Sequence, residues 1–357
     1  MLYVQECPIY PDDYQELTRR LKSRGIFEHQ PRFYSVQALA IVGLLGIGIA
    51  VLVVSDALWI RMLDAVLLAV VFVQLGFLFH DAGHRQIFRR AIHNDVAMLA
   101  IGFVIGSSRS WWFDSHNRHH TNPNELDLDP DIELYIVNFS ERQAGTRGRV
   151  VGFLSRFQAF YFFPALLFEG VGAHIASCVF LLRGKARFGI IESAAMVLHF
   201  VLYFGLLFAL MPAWQAVLFM VVHHSIAGLY MGSVFAPNHK GMLIPDESSD
   251  LDLFQRQVLT SRNVSPHPVT DVLYGGLNYQ IEHHLFPQIP RSRLKSAYPV
   301  VKEYCRERGI TYYETSSWQS YREIFQHLKR VSQAARGAQL TDASLAFAKP
   351  SAIDQRS

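Results

Sequence analysis

Eight of the sixteen histidines in this 357-residue chain fall in four short clusters. They are His80, His84, His116, His119, His120, His239, His283 and His284. Histidines three or four residues apart lie on one face of a helix, so each cluster can turn its rings toward a common point. Imidazole is a ligand for iron, zinc, copper and nickel, and the pattern therefore predicts a metal site without selecting the metal.

The clusters differ in how specific they are. At this histidine content, a pair spaced H-x-x-x-H is expected by chance roughly 0.7 times, whereas H-x-x-H-H is expected roughly 0.03 times. The cluster at 116–120 is therefore the strong signal, and the pair at 80–84 is weak by itself. Eight imidazoles exceed the three or four protein ligands of one zinc ion, so we expect two metal ions.

Polar side chains beside the clusters are candidates to ligate a metal or to orient the imidazoles. Metal-bound imidazoles usually donate their other N–H to a carboxylate or a carbonyl. We expect the acidic run at 125–131 either to accept such bonds or to form a solvated loop. The candidates adjacent to the histidines are Asp81, Asp114, Asn238, Gln280 and Glu282.

Four further histidines lie in apolar segments. Such histidines are more often hydrogen-bonded packing residues than ligands. His223 and His224 precede His239 by about 23 Å of helix, which places them far from the clusters. We therefore expect a packing role for the four, which are His174, His199, His223 and His224.

Membrane helices must position the clusters. Residues 36–54 are almost entirely apolar and come close to the roughly 20 residues that a spanning helix needs. Similar segments at 58–79, 188–211 and 213–236 complete two predicted hairpins. Basic residues flank the hairpin ends that lie next to the histidines, so the positive-inside rule places the clusters and both termini in the cytoplasm.

The remaining segments predict the rest of an all-α integral membrane protein with about four transmembrane helices. Cytoplasmic segments 80–187 and 237–330 would form a helical cap that carries a histidine-ligated dimetal site. We expect the apolar pieces at 96–106 and 150–182 to lie in or dip into the interface. The predicted divisions are a cytoplasmic N-terminal segment at 1–35, a membrane domain at 36–330 and a mobile tail at 331–357.

Composition supports a membrane location and excludes other classes. With 50% hydrophobic and 18% charged residues, the chain is too apolar for an average soluble domain. A net charge of +3 gives no overall field for binding nucleic acid. The three cysteines are scattered, which predicts neither a disulfide framework nor a C-x-x-C metal site. The polar N-terminus predicts no cleaved signal peptide.

The clusters and their neighbours resemble the membrane fatty acid desaturase family. The matching motifs are HDAGH at 80–84, HNRHHTNPN at 116–124 and GGLNYQIEHHLFP at 275–287. Within the third motif, the histidine box QIEHH begins with Gln280, where many relatives have histidine, and this is similar to the front-end and acyl-lipid branch. Many front-end relatives carry a fused b-type cytochrome domain, but this chain contains no His-Pro-Gly-Gly haem motif.

The resemblance implies an oxygen-dependent desaturase that inserts a cis double bond into a long-chain acyl group, carried by coenzyme A or a lipid. It implies that two iron ions are held by the eight clustered histidines. Trp111, Trp112 and Phe113 would line the substrate pocket or belong to an interfacial aromatic belt. A hydroxylase or a carotenoid or lipid oxygenase on the same scaffold is the nearest alternative. A non-oxidative membrane metal-binding or transport protein, or a zinc-dependent hydrolase, is more distant.

Inserting a double bond with dioxygen consumes two electrons from outside. The chain has no C-x-x-C and no G-x-G-x-x-G motif for a carrier of its own. An external donor such as a ferredoxin, cytochrome b5 or a flavin reductase is therefore expected to dock on the cytoplasmic face, using cations that include Arg85, Arg118 and Arg256. Other basic residues would anchor the protein or meet an acyl head group, and they are Arg89, Arg90, Arg291, Arg293 and Lys295.

Overall fold

The computed structural model describes residues 12–246 and 249–347, which are mostly helical, as predicted. Two strands of two residues each, β1 (Asn263–Val264) and β2 (Glu314–Thr315), form a parallel pair. A 3₁₀ turn at Leu166–Phe168 joins α8 to α9. The helices are α1 Asp12–Ser23, α2 Pro31–Val54, α3 Leu58–Gly83, α4 Ala91–Ile105, α5 Arg109–Thr121, α6 Glu141–Thr146, α7 Arg149–Ser155, α8 Gln158–Ala165, α9 Glu169–Leu182, α10 Gly189–Leu210, α11 Ala213–His239, α12 Leu253–Leu259, α13 Pro268–Leu273, α14 Gln280–Leu285, α15 Arg291–Glu307 and α16 Ser317–Phe347.

Five helical segments within the described residues are long and apolar enough to cross a bilayer. Four of them, α2, α3, α10 and α11, cover the four predicted spans. The fifth is Gln158–Leu182, within the segment expected at the interface. In its most apolar stretch α3 is 56% buried, whereas α2 and α10 are 17% buried. The central helix of the membrane region is therefore α3, and it ends in the first histidine cluster.

The helix that carries the second cluster, α5, starts at a sharp bend after α4. Helices α4 and α5 are bent by 107° relative to each other. The N-terminus of α5 is held by Glu192 of α10, a buried carboxylate. It accepts hydrogen bonds from the hydroxyls of Ser108 (2.7 Å) and Ser110 (2.6 Å) and from the Ser110 amide (3.0 Å). A carboxylate at this end also suits the helix dipole, so α10 fixes where α5 begins.

A close approach of backbones packs the 3₁₀ turn on α11. A Cβ atom added at Gly228 would lie 2.7 Å from the Leu166 carbonyl oxygen and 2.8 Å from that of Leu167. Only glycine leaves room for this contact. One turn further along α11, Gly232 faces the Leu166 side chain. The small-xxx-small spacing is the one that lets membrane helices pack closely.

The four histidines of the apolar segments pack together below the bend between α4 and α5. His174 Nδ1 donates to the Gly106 carbonyl at 2.8 Å, and the Tyr203 hydroxyl lies 2.8 Å from His223 Nδ1. The His174 ring also contacts the rings of His199 and His224. These contacts agree with the expected packing role.

Helices outside the candidate spans form a bundle beside the histidine clusters. Its core is formed by α1, α12, α14 and α15, with Leu17, Val258 and Ile281 almost fully buried. The Tyr14 hydroxyl donates to the Leu285 carbonyl at 2.6 Å and ties α1 to α14. The strand pair connects the segment before α13 to the segment before α16.

The C-terminal part differs from the expected mobile tail. Helix α16 continues to Phe347, and it is packed where the tail was expected to begin. Val331 and Ser332 are buried, and the Ser332 hydroxyl donates to the Ser155 carbonyl at 2.8 Å. The alanine-rich composition that suggested a tail is also favourable for a helix. The rest of the predicted tail, 348–357, lies outside the described residues, as do residues 1–11 of the N-terminal segment.

Candidate metal centre

Four helix ends bring the eight clustered histidines together. The first pair comes from the C-terminal end of α3, and α5 contributes three residues from one face. His239 is the last residue of α11, and the final pair lies on the short helix α14. Each ring is buried or half-buried. The four clusters therefore form one site.

Five of the rings make a first group, which we call the five-histidine group. One nitrogen of each ring lies within 4.8 Å of those of the other four. The Nε2 atom of His116 is 2.9 Å from that of His84 and 3.0 Å from that of His120. Three of its rings are only half-buried. Its members are His80, His84, His116, His120 and His283.

The other three rings, His119, His239 and His284, make a second group, which we call the three-histidine group. Their ligand nitrogens also lie within 4.8 Å of one another, and all three residues are buried. The Nε2 atoms of His119 and His239 are 3.3 Å apart. The ring of His284 stacks on that of His120, with centroids 4.3 Å apart, so the two groups adjoin.

Unpaired nitrogens show that the rings fit a metal site. Both ring nitrogens of His283 and Nε2 of His284 are buried without a hydrogen-bond partner in the described part of the chain. Such groups are costly unless something binds them. Burial, together with neighbouring imidazoles, lowers the pKa of His283 and His284 well below the usual value. The rings are therefore neutral and keep a lone pair for a metal ion.

Hydrogen bonds at Nδ1 point the Nε2 lone pairs inward. His119 Nδ1 lies 3.0 Å from both carboxylate oxygens of Asp129. A carboxylate only accepts, so Nδ1 carries the proton and Nε2 is free to ligate. By the same reasoning, His239 Nδ1 donates to the Thr260 carbonyl at 3.1 Å and His284 Nδ1 to Gln257 Oε1 at 2.9 Å. All three members of the three-histidine group are oriented in this way.

Asp129 is itself held by the loop that follows α5. It is fully buried and accepts hydrogen bonds from the backbone amides of Asn124 (2.7 Å) and Asp131 (2.9 Å). Burial opposes its ionisation. The His119 imidazole, Lys240 and the Asp131 amide outweigh this and hold the pKa of the Asp129 carboxyl below its usual value. Asp129 is therefore an anion at neutral pH.

Asn124 joins the same loop to the end of α11. Its side-chain amide donates to the carbonyls of His239 (3.1 Å), Leu243 (3.1 Å) and Thr260 (3.2 Å). The backbone of Asn124 has φ of 59°, a conformation that asparagine tolerates better than most residues. One side chain thus links the second histidine motif to the backbone around the third cluster.

The polar neighbours expected to assist fall into two sets. Gln280 lies in the site, with its side-chain nitrogen 2.9 Å from His239 Nε2 and its oxygen bonded by Asn238 at 3.0 Å. Asp81 lies 3.5 Å from His80 Nδ1 and pairs with Arg291 at 2.7 Å. These three residues contact the histidines directly or through one another.

The other two expected neighbours do not reach the imidazoles. Asp114 is exposed on the outer face of α5 and pairs with Arg118. Glu282 is fully buried but accepts hydrogen bonds from Asn263 and Tyr312, away from the rings of its own helix. Burial raises the pKa of Glu282 to about 7. Residues one or two positions from a histidine in a helix point in a different direction from that histidine, which is why both carboxylates miss the rings.

The aromatic residues before the second motif, Trp111, Trp112 and Phe113, also differ in whether they contact the histidines. The Trp112 ring stacks on His116 with centroids 4.3 Å apart and meets the edges of His80 and His84. A Cβ atom at Gly83 would lie 2.2 Å from the indole, which explains the glycine of the first motif. Phe113 instead packs under Arg109. Trp111 is half-buried one position earlier on α5.

Sequence reasoning passed over three residues that orient the histidines, Gln257, Thr260 and Asn124. Gln257 and Thr260 lie in and after α12, outside any histidine motif, and Thr260 acts through its backbone. No residue-type signal could have found that carbonyl. Asn124 is the last residue of the second motif. An asparagine in a predicted loop was the signal that could have identified it.

The cations expected to receive an electron donor are already paired. Arg85 contacts Asp95, Arg118 contacts Asp114 and Arg256 contacts Glu125. Arg291, a candidate for the acyl head group, is buried against Asp81. Arg293 and Lys295 lie within ion-pair distance of Glu28 and Asp271.

The chain is similar in sequence to known proteins. Residues 57–316 match the family model described as fatty acid desaturase. The Acyl-lipid (9-3)-desaturase of Physcomitrium patens is 29% identical over 93% of this chain, which spans 65% of that relative. The Delta(6)-fatty-acid desaturase fat-3 of Caenorhabditis elegans is 30% identical over 90% of the chain and 75% of its own length. The Delta(8)-fatty-acid desaturase 2 of Arabidopsis thaliana is 27% identical over 91% of this chain and 76% of its own length.

Proposed function

Because the chain belongs to the fatty acid desaturase family, we propose that it is an oxygen-dependent desaturase that inserts a cis double bond into a long-chain fatty acyl group at a diiron centre. The observation that carries the proposal is the pair of adjoining histidine groups, in which buried ring nitrogens of His283 and His284 have no hydrogen-bond partner in the described part of the chain. Two groups of ligands match two metal ions. All eight clustered histidines are assigned as ligands.

The reaction explains why a metal is needed. R–CH2–CH2–R′ with O2, two electrons and two protons gives R–CH=CH–R′ and two molecules of water. An unactivated methylene has no acidic hydrogen, so acid–base residues alone cannot remove one. When bound, the iron ions supply the oxidising power for that abstraction. The protein holds the ligands rigidly and fixes one carbon of the acyl chain beside them.

The five-histidine group is the proposed side of substrate approach. His84, His116 and His120 are half-buried there, whereas the three-histidine group is fully buried. The Trp112 indole covers His116 and provides an apolar wall for a methylene chain. Trp111 and Phe113 are weaker candidates because neither ring faces the histidines.

Gln280 is proposed to complete the three-histidine group. Its side-chain nitrogen faces His239 Nε2 and its oxygen accepts from Asn238, so the amide would have to turn over for the oxygen to ligate a metal ion. An amide oxygen is a poorer donor than an imidazole nitrogen for a late first-row metal. The metal ion in this group would therefore be held more weakly by side chains than the ion in the five-histidine group.

We further propose four spans, with the metal centre and both termini in the cytoplasm. The question is whether α9 crosses the membrane. At its start Gly170 faces Gly228 of α11, and near its end Ser177 accepts from the Ser108 amide, beside Glu192 of α10. Counted from the far ends of α10 and α11, Glu192 and Gly228 lie at about 27 and 22 Å. Gly170 and Ser177 thus lie at similar depth, which supports a helix that does not cross.

The names of the relatives carry different labels for the double-bond position. The position that this chain uses and its acyl carrier are therefore determined by experiment. Those named above carry the labels (9-3), Delta(6) and Delta(8). Hydroxylation on the same ligands would give an alcohol instead of an alkene. Mass spectrometry of the host's acyl chains separates these products.

The test combines product and metal. We expect a host that expresses the chain to accumulate a new cis double bond only in the presence of oxygen, and purified protein to hold two iron ions per chain. His119→Ala should remove the product while the protein still purifies as a folded monodisperse species. His93→Ala, a change at an exposed histidine, is the matched control and should behave like the unmodified chain. One zinc ion per chain with full activity, or an oxygen-independent product, would refute the proposal.

A further inference from the structure

One loop between β1 and α14 turns back on itself. It comprises residues 265–277 and contains α13. The two ends of the loop meet, because the Val264 amide donates a hydrogen bond to the Asn278 carbonyl at 3.0 Å. Where the chain returns, a Cβ atom at Gly275 would lie 2.5 Å from the Phe77 ring of α3. The loop therefore departs from one place and returns to it, packed against a candidate span.

Two hydrogen bonds fix the level of α13 along the candidate spans. The Gln74 side chain of α3 donates to the Val272 carbonyl at 3.2 Å, and the Tyr230 hydroxyl of α11 donates to the Leu273 carbonyl at 2.8 Å. Counted from the first residues of α3 and α11, Gln74 and Tyr230 lie at about 24 and 26 Å. The hydrocarbon core of a bilayer is about 30 Å thick. Both attachment points therefore fall within the hydrocarbon layer that α3 and α11 would cross.

The backbone around α13 suits surroundings without water. The last four carbonyls of a helix have no partner within it, and lipid offers none. In α13 all four have a donor. The amides of Tyr274, Gly276 and Gly275 donate to Thr270, Asp271 and Val272, and the Tyr230 hydroxyl donates to Leu273. The turn that follows, 274–276, is buried in the protein. This end of α13 can therefore lie in lipid without an unbonded carbonyl.

The side chains of α13 divide between an apolar face and a polar face. Val269, Val272 and Leu273 are 57%, 61% and 46% exposed. Asp271 is turned toward the protein, where its carboxylate accepts a hydrogen bond from Lys295 at 3.2 Å. Apolar side chains are unfavourable in water, whereas in lipid they need no further partner. The outer face of α13 thus continues the apolar surface of the spans against which the helix lies.

A tryptophan lies just beyond this level. The Tyr321 hydroxyl of α16 donates to the Ser233 carbonyl at 2.7 Å, at about 30 Å from the start of α11. Trp318, one turn earlier on α16, is 78% exposed. Tryptophan is enriched where the hydrocarbon meets the headgroups, so the position of Trp318 suits the boundary of the bilayer. The attachment points of α13 lie on the hydrocarbon side of that boundary.

We propose that the loop 265–277 is a re-entrant element, with the apolar face of α13 immersed in the leaflet on the side of the metal centre. Its partner is the hydrocarbon of the bilayer. The inference rests on α3 and α11 crossing the bilayer, as in the proposed topology, and not on the reaction. Because α14 follows the loop, the contact with lipid also anchors the backbone that carries His283 and His284.

The collision rates of a spin label test what surrounds α13. The full chain is reconstituted in phosphatidylcholine nanodiscs after alanine has replaced Cys7, Cys178 and Cys305, and a nitroxide is attached at Val272→Cys. Oxygen concentrates in lipid, whereas a polar nickel chelate stays in water. We expect the ratio of oxygen to nickel collisions at Val272→Cys to be severalfold higher than at Glu303→Cys, an exposed position of α15. Val269→Cys should repeat the result from the same face.

Val221→Cys, an exposed position of α11, supplies the lipid reference. A ratio at Val272 and Val269 that matches Glu303 while Val221 is lipid-like would overturn the inference alone. So would few collisions with either reagent at Val272 and Val269, because the apolar face would then be covered by protein, such as a second copy of the chain. A ratio at Val221 that matches Glu303 would overturn the proposed spans and this inference with them, which separates the two failures.

Discussion

At the scale of single residues, the members of the three-histidine group differ in the acceptor to which each Nδ1 atom donates its hydrogen bond. The acceptors are a carboxylate for His119, a backbone carbonyl for His239 and a side-chain amide for His284. Only the carboxylate carries a full charge, so His119 is the most strongly electron-donating ring of the three. We therefore expect the loss of Asp129 to weaken metal binding more than the loss of either of the other two acceptors.

We expect Asp129→Asn to weaken metal binding about 10- to 100-fold. The amide can replace one accepted hydrogen bond but turns a donor toward the amides of Asn124 and Asp131, and it removes the charge facing His119. Iron retained against a competing chelator, measured for the purified protein, gives the affinity.

The matched control is Asp127→Asn in the same loop. Asp127 is exposed and contacts Arg142 on the surface, and its φ of 68° is one that asparagine adopts readily. It should retain iron as the unmodified protein does. Indistinguishable chelation curves for the two variants would show that Asp129 does not orient a ligand.

At the scale of elements, the site depends on helices being held at fixed depths. Glu192 sets the start of α5, and Asn124 and Arg262 bind carbonyls at the end of α11. The Arg262 guanidinium donates to the Pro237 carbonyl at 2.7 Å and the Lys240 carbonyl at 3.0 Å. Buried polar contacts of this kind specify a position more than they add stability.

We expect Gly228→Ala to destabilise the membrane region by about 1–3 kcal/mol. The added methyl would meet the carbonyls of Leu166 and Leu167 inside contact distance, and backbone cannot move aside cheaply. Thermal unfolding in detergent should show a lower midpoint.

Gly205→Ala supplies the comparison because a Cβ atom at this glycine of α10 meets nothing within 4 Å. Alanine is the better helix former, so its midpoint should stay level or rise. A fall of equal size in both variants would mean that the packing of α11 on the 3₁₀ turn carries no special weight.

At the scale of the whole molecule, a topology with four spans requires that the chain before α8 and the chain after α9 lie on the same side of the membrane. Topology reporters fused after Thr146 and after Lys185 should therefore report the same side, the cytoplasm. A reporter after Ser55, at the tip of the first hairpin, should report the opposite side. Opposite results for Thr146 and Lys185 would make Gln158–Leu182 a fifth span.

The sequence predicted the membrane helices and the clustering of histidines because both depend on local patterns. Long apolar runs gave α2, α3, α10 and α11, and three- and four-residue spacing gave the ligand faces. His80, His84 and His239 lie at the ends of α3 and α11, which the apolar runs had already placed.

Other features depend on contacts between distant parts of the chain, which no local pattern contains. The choice of Asp129 over its acidic neighbours follows from a loop folded against His119. Glu192 reads as an ordinary charge at a helix start until α5 is placed beside it. Local composition also misled, since the alanine-rich stretch after residue 330 continues α16.

The bond between Tyr14 and Leu285 joins residues 271 positions apart. Helix α1 is synthesised well before its packing partners α14 and α15. Contacts of such high sequence separation form slowly. The last two ligands, His283 and His284, arrive with the same late segment. During biogenesis the nascent chain therefore carries an incomplete ligand set until this segment has been made, and the complete metal centre cannot form before then.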